Sequence, residues 1–241
     1  MPIYRIDSGS YDSYLEDRKN KKALFVAPYF DEATKSSSMT VEIAEEIAQS
    51  EGKDWEIWEL EVENAVRDNF EDTIRNYGPF DLVFYGGHGD EVGWIGQLKS
   101  YSYSMSRLAP IDYLMDLNNS KLLSGSVVVS IACLVGKIAP QIVQNGCKSF
   151  IGSTDFIYVG YSYEGIKNYE ADFIRSFESI PLALFRGYSV RDAVDYFSDV
   201  CQTYENEYEE NKYRFYDTFQ ENMKRNREGM SVYGDTDAVI V

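Results

Sequence analysis

The stretch Asp81-Leu82-Val83-Phe84-Tyr85-Gly86-Gly87-His88-Gly89 decides the fold. Leu82 to Tyr85 is apolar without alternation, the pattern of a strand buried on both faces. It ends in glycines that surround the only histidine of the chain. A second run, Val127-Val128-Val129-Ser130-Ile131-Ala132, is the most β-prone stretch and ends at Cys133. Further strands are expected at Ala23 to Tyr29, at Asp54 to Leu60, at Ser149 to Ser153 and, as a last edge strand, at Ser231 to Asp235. Helical spacing recurs between them. Ile43, Ala44, Ile47 and Ala48 form one stripe; Val66, Phe70 and Ile74 form a second, closed by Gly78-Pro79. Ile138, Ala139, Ile142 and Val143 form a third, with Pro140 in its first turn and Gly146 as its cap. Ile166, Phe173, Ile174 and Phe177 mark a fourth. The stripe from Val190 to Cys201 marks a fifth, expected to run on to about residue 225. Strands alternating with helices predict an α/β fold: a mainly parallel sheet of about five or six strands, covered on both faces.

The chain has 241 residues, enough for one large α/β domain with its own core. Residues 1–22 read as a polar lead-in, and 23–241 as a single domain. Residues 90–120 read as an insertion, with a small hairpin at Val92 to Leu98 and a serine/tyrosine loop at 100–106. Lys plus Arg is 23 and Asp plus Glu is 40, a formal charge of −17, which repels phosphate backbones. Nucleic acid is therefore not an expected partner. No apolar run reaches the roughly 20 residues of a membrane span, and no membrane partner is expected. The N-terminus shows no basic segment followed by an apolar one, so a cytoplasmic location is the expectation. Three cysteines and one histidine, without Cys-x-x-Cys, suit neither a disulfide framework nor a zinc site. No metal or other cofactor is expected.

Active sites of parallel sheets lie beyond the carboxyl ends of the strands. Two places qualify: Gly86-Gly87-His88-Gly89-Asp90 and Ile131-Ala132-Cys133-Leu134-Val135-Gly136. If their strands are neighbours, His88 and Cys133 sit side by side. A cysteine attacks a carbonyl as thiolate, and an adjacent imidazole draws its proton away. Taken singly, a turn histidine and a strand-end cysteine are more often structural. Their joint position argues otherwise. Cys147 follows a helix cap and Cys201 lies on an apolar helical stripe, so both read as structural.

These two motifs resemble the caspase-fold cysteine peptidases of clan CD, whose members include caspases, legumain, clostripain, gingipains and CHAT domains. The family signature is an apolar strand ending in His-Gly followed by an apolar strand ending in Ala-Cys. Gly136, Phe150-Ile151-Gly152-Ser153 and Tyr233-Gly234-Asp235 are similar to gingipain and CHAT sequences. The resemblance covers about residues 23–235. It implies a caspase-like three-layer sandwich and a cysteine endopeptidase working through a thioacyl-enzyme on a protein or peptide substrate. In that reading Cys133 is the nucleophile and His88 the general acid/base. The backbone N–H groups of Gly89 and Cys133 hold the oxyanion. No residue that would orient His88 is visible.

Substrate-binding candidates are Ser153, Asp155 and Tyr158, in the position where the family builds its S1 pocket. Relatives that bind a basic P1 residue carry an acid two positions before the cysteine. Ile131 stands there, which leaves Asp155 as the candidate partner of a P1 Arg or Lys. A turn or capping role for Asp155 is an equal alternative. Asp90 and Glu91 are further acids near His88, and Arg107 is the nearby base that a P1 Asp would need. An activating protein partner or self-cleavage is a further expectation. Two rival readings stand beside the peptidase. One is a non-catalytic or latent caspase-like module that binds a partner. The other is a flavodoxin-like ligand domain, for which residues 29–40 lack the glycine of a phosphate loop.

Overall fold

The computed structural model describes residues 3–5, 21–29, 31–51, 55–97, 111–160 and 167–240. Its strands are β1 (Ile3–Arg5), β2 (Lys21–Ala27), β3 (Trp55–Glu61), β4 (Leu82–Gly86), β5 (Gly93–Ile95), β6 (Tyr113–Asp116), β7 (Val127–Ile131), β8 (Ser149–Ser153) and β9 (Met230–Gly234). Its helices are α1 (Glu32–Glu51), α2 (Arg67–Tyr77), α3 (Ala139–Gln144), α4 (Tyr169–Phe185), α5 (Val190–Asn211) and α6 (Tyr216–Gly229). Seven strands form one sheet in the order β1-β3-β2-β4-β7-β8-β9, parallel except for β9.

Alternation along the strands divides the core into two layers. Ala23, Phe25, Leu82, Phe84, Val127, Val129 and Ile151 point to one side, against α1, α4, α5 and α6. Leu24, Val26, Val83, Tyr85, Val128 and Phe150 point to the other, against α2, α3 and the β5–β6 ribbon. Both faces are dry, which is why these strands carry unbroken apolar runs. The fold is the expected three-layer α/β sandwich.

Four details differ from the sequence expectation. Ile3–Arg5, within the stretch read as a lead-in, pairs in parallel with β3 and brings the sheet to seven strands. The hairpin does not close within residues 92–98. Instead β5 pairs antiparallel with β6, on the far side of the serine/tyrosine stretch, which itself lies outside the described residues. The Val190 stripe stops at Asn211 rather than near 225. Lys212 and Phe215 take left-handed backbone at φ 47 and φ 67, and the chain turns into α6. The turn is compensated by packing. Arg227 on α6 grips the buried Glu205 of α5 in a fork of 2.7 and 3.1 Å, a fixed geometry that a straight helix could not supply. Finally, the fourth helix begins at Tyr169, and Ile166, expected in its stripe, lies outside the described residues.

Strand order sets the site. From β2 the chain moves outward to β3, returns past β2 to β4, and then builds β7 and β8 on the other side. The carboxyl ends of β2 and β4 therefore flank a switch point, where an open parallel sheet leaves a crevice.

Candidate active site

Register alone makes His88 and Cys133 neighbours. Gly86 of β4 pairs with Ile131 of β7, and the Gly87 N–H donates to the Ile131 carbonyl at 3.2 Å. His88 and Cys133 each follow that pair by two residues. Close packing continues the pairing. A Cβ on Gly89 would lie 2.7 Å from Val135 Cγ1, 3.0 Å from Ala132 Cβ and 3.1 Å from the Cys133 carbonyl oxygen. Only glycine lets the His-Gly turn lie flat against Ala132-Cys133.

After Cys133 the chain turns sharply, with Leu134 in left-handed backbone at φ 62. Such a conformation costs about 1 kcal/mol or more in a residue with a Cβ. The Leu134 N–H donates to the Asp155 carbonyl at 3.0 Å, which ties this turn to the loop after β8. Cys133 is half-buried, and its Sγ accepts from the Ile157 N–H at 3.3 Å. Burial pushes the thiol above its ordinary range; the Ile157 N–H opposes that, and the charge of Asp155 adds to it. The sulfur is therefore a thiol at neutral pH and not one half of a resting ion pair. The rate of Cys133 alkylation by iodoacetamide is expected to keep climbing through pH 9, without a plateau near neutrality. Stopped-flow or mass-resolved alkylation across pH 6 to 10 checks this. Cys147 and Cys201 are buried, with thiols pushed up to about 12 by burial, so they do not compete.

Asp31 is the residue that sequence reasoning missed. It lies just beyond β2 and precedes α1. Its Oδ1 accepts from the Thr34 N–H at 2.9 Å, while its own N–H donates to Thr34 Oγ1 at 3.0 Å. This reciprocal pair is a helix-capping arrangement. Its Oδ2 lies 2.7 Å from His88 Nε2. Burial raises the Asp31 carboxyl, but the bonds to His88 and Thr34 outweigh it and hold the group below its usual range. Asp31 is thus ionised at neutral pH. A carboxylate at that distance takes the proton of Nε2 and fixes the imidazole tautomer.

The β5–β6 ribbon braces the histidine turn from the other side. The Ile95 N–H donates to the His88 carbonyl at 3.0 Å, and the Asp90 N–H donates to the Gly93 carbonyl at 3.1 Å. The Asp90 side chain is spent on this brace. Oδ1 accepts from the Val92 and Gly93 N–H groups, and Oδ2 accepts from the Tyr113 hydroxyl at 2.7 Å. Glu91 pairs with Lys137 at 3.3 Å, linking the histidine turn to the cysteine turn on the exposed rim. Gln97 clamps the Asp31 loop: its side-chain amide exchanges two bonds with the Tyr29 backbone, at 2.8 and 3.0 Å. Arg107 lies outside the described residues.

The three substrate-binding candidates fall on the loop after β8, beside the cysteine turn. Asp155 is exposed, and its Oδ1 accepts from the Phe156 N–H at 2.7 Å. Ser153 is buried, and its hydroxyl donates to the Asp155 carbonyl and accepts the Asp155 N–H, so it shapes the turn from inside. Tyr158 is pinned to α6. Asn226 bonds both its N–H and its carbonyl, at 2.8 and 2.7 Å, and Arg225 sits over its ring and on its hydroxyl.

Among the described residues, one cluster of carboxylates approaches metal-ligand spacing: Glu45, Glu59 and Glu61, on α1 and β3. Burial and the two neighbouring glutamates push the Glu45 carboxyl up to about 8. A group so shifted relieves the crowding by holding a proton, which needs no cation.

No protein-family model matches the chain, and no curated protein matches it by sequence. Solved structures do. The complex of the pro- and mature domains of RgpB from Porphyromonas gingivalis superposes over 90% of this chain with a TM-score of 0.54, at 12% identity. The chain spans 47% of that RgpB chain. A secreted C11 cysteine protease from Bacteroides thetaiotaomicron, iotapain, is similar over 76% of this chain and 63% of its own, at 16% identity and a TM-score of 0.46. No helix among the described residues is long and apolar enough to cross a membrane. The sheet order, the two motif strands in adjacent register and the likeness to RgpB together show that this chain has the caspase fold of the clan CD peptidases.

Proposed function

We propose that the protein is a cysteine endopeptidase in which Cys133, His88 and Asp31 cooperate. The observation that carries this reading is the paired strand ends, with the His88 imidazole held by a carboxylate at 2.7 Å. The sulfur of Cys133 attacks the scissile carbonyl and its proton passes to His88 Nδ1. The carbonyl π pair moves onto oxygen, and the N–H groups of Gly89 and Cys133 stabilise the oxyanion. When that pair returns, the C–N bond breaks and the amine leaves with the proton from His88. Water then attacks the thioacyl carbon while His88 takes a proton from it; the C–S bond breaks and the thiol is restored. Asp31 holds the tautomer throughout and stabilises the imidazolium that forms twice in each turnover.

The exposed position of Asp155 beside the cysteine turn supports a basic P1 residue, with Tyr158 as an apolar wall. A P1-diverse fluorogenic peptide library in reducing buffer tests both parts. Cleavage after Arg or Lys is expected, with KM for those peptides raised about tenfold or more by Asp155→Asn, in line with loss of a hydrogen-bonded charge pair. A preference that Asp155→Asn leaves unchanged would remove Asp155 from the specificity site. A wild type silent on every peptide, with Cys133 unreactive to peptide electrophiles, would sink the peptidase reading and favour a binding module.

A further inference from the structure

Tyr85 is fully buried one layer beneath the turn that carries His88. Its ring stacks on Trp94 at 4.5 Å with an interplanar angle of 4°, and the Trp94 indole N–H donates to Ser130 Oγ at 2.8 Å. The phenol is thereby fixed between β4, β5 and β7. Its hydroxyl donates toward the His88 carbonyl at 2.7 Å and also lies 2.9 Å from the Ile95 carbonyl. It reaches past Gly87, where a Cβ would stand 2.6 Å from the hydroxyl oxygen.

That His88 carbonyl belongs to the same amide as the Gly89 N–H. In a trans peptide the two point in opposite directions. Two donors from the core side, the Tyr85 hydroxyl and the Ile95 N–H, occupy the carbonyl, so the Gly89 N–H is turned away from them. The ribbon gives the same orientation independently. Gly89 bridges Trp94, yet the ladder bonds on either side belong to Ile95 and Asp90. Gly89 and Trp94 are thus a non-hydrogen-bonded antiparallel pair, whose N–H groups face away from the partner strand. Hydrogen bonds accepted by an amide carbonyl also make its N–H a stronger donor.

We propose that Tyr85 is a positioning residue for catalysis: its hydroxyl fixes and polarises the His88–Gly89 amide, so that the Gly89 N–H meets the oxyanion of the substrate. This rests on the peptidase reading of the same site. Burial raises the Tyr85 phenol well above its ordinary range, so the donor stays protonated across the working pH.

The test compares two reagents on Tyr85→Phe. A peptide aldehyde adds the Cys133 thiol across its carbonyl and places an oxygen in the oxyanion position. Iodoacetamide alkylates the same sulfur by displacing iodide and develops no oxyanion. In Tyr85→Phe, aldehyde affinity and kcat/KM are expected to fall together by about tenfold, short of the roughly hundred- to thousand-fold loss of a whole oxyanion donor. The iodoacetamide rate at fixed pH is expected to stay within about twofold of wild type, since the thiol is untouched. Wild-type aldehyde affinity in the variant overturns the proposal. So does a parallel fall in the iodoacetamide rate, which would mark a general loss of fold. If Tyr85→Phe does not fold, 3-fluorotyrosine at position 85 supplies a more acidic donor. It should tighten the aldehyde, and unchanged or weaker binding overturns the proposal. A wild type that neither cleaves peptides nor binds the aldehyde, yet alkylates normally, identifies failure of the peptidase reading itself.

Discussion

Cys133→Ala is expected to abolish peptide cleavage while the fold persists. Removing the nucleophile of a covalent hydrolase costs about six orders of magnitude in kcat, because the partners that remain have nothing to activate. The structural cost is small by comparison. The residue is half-buried, and the loss visible in the structure is the 3.3 Å contact from the Ile157 N–H to the sulfur. A hydrogen bond of that kind is worth about 1 kcal/mol, or roughly 2–4 °C in melting temperature for a domain of this size. Fluorogenic assay and thermal melting on the same preparation separate the two effects. Turnover retained in the alanine variant contradicts the assignment. The matching control is Cys201→Ser, whose sulfur lies buried on α5 and should leave kcat unchanged.

Asp31→Asn is expected to lower kcat by about a hundredfold or more with little change in KM. Asparagine caps a helix about as well as aspartate, so the start of α1 should survive the exchange. What is lost is the negative charge 2.7 Å from His88 Nε2. The neutral amide no longer fixes the tautomer and no longer stabilises the imidazolium. A fully buried aspartate in this role is worth about 10⁴ in kcat. The Asp31 side chain is 41% exposed, so water screens part of its field and the loss should be smaller. The pH profile supplies the second readout: the limb governed by His88 should move to lower pH, since the imidazolium loses its counter-charge. An Asn variant with wild-type kcat and pH profile would reduce Asp31 to a helix cap.

His88 and Cys133 were legible in the sequence because each ends an apolar run too long and too β-prone to be anything but a buried strand. Their meeting required strand order, which no local pattern carries; the Gly86–Ile131 register supplies it. Asp31 was not legible for the same reason. It is 57 positions from His88, and its local signal, Asp-x-x-Thr, marks only a helix start. That signal gains meaning once β2 is placed beside β4 at the switch point. The hairpin expected at 92–98 failed because Trp94 finds its antiparallel partner in Met115, across the insertion. The Val190 helix was read too long because Lys212 and Phe215 accept left-handed backbone without the glycine that usually announces it. Tyr85 read as one more core aromatic, and its burial is indeed complete. Its hydroxyl acquires a partner only from the turn that folds back over it.

The central claim is that the Cys133 sulfur forms a covalent bond to the carbonyl-bearing end of a bound peptide. Intact-mass and peptide-mapping analysis after treatment with a peptidyl acyloxymethyl ketone measures this without relying on turnover. The account predicts one adduct on Cys133 that forms in wild type, slows in His88→Ala and Asp31→Asn, and is absent in Cys133→Ala. An unmodified Cys133, or an adduct rate indifferent to His88 and Asp31, would contradict it.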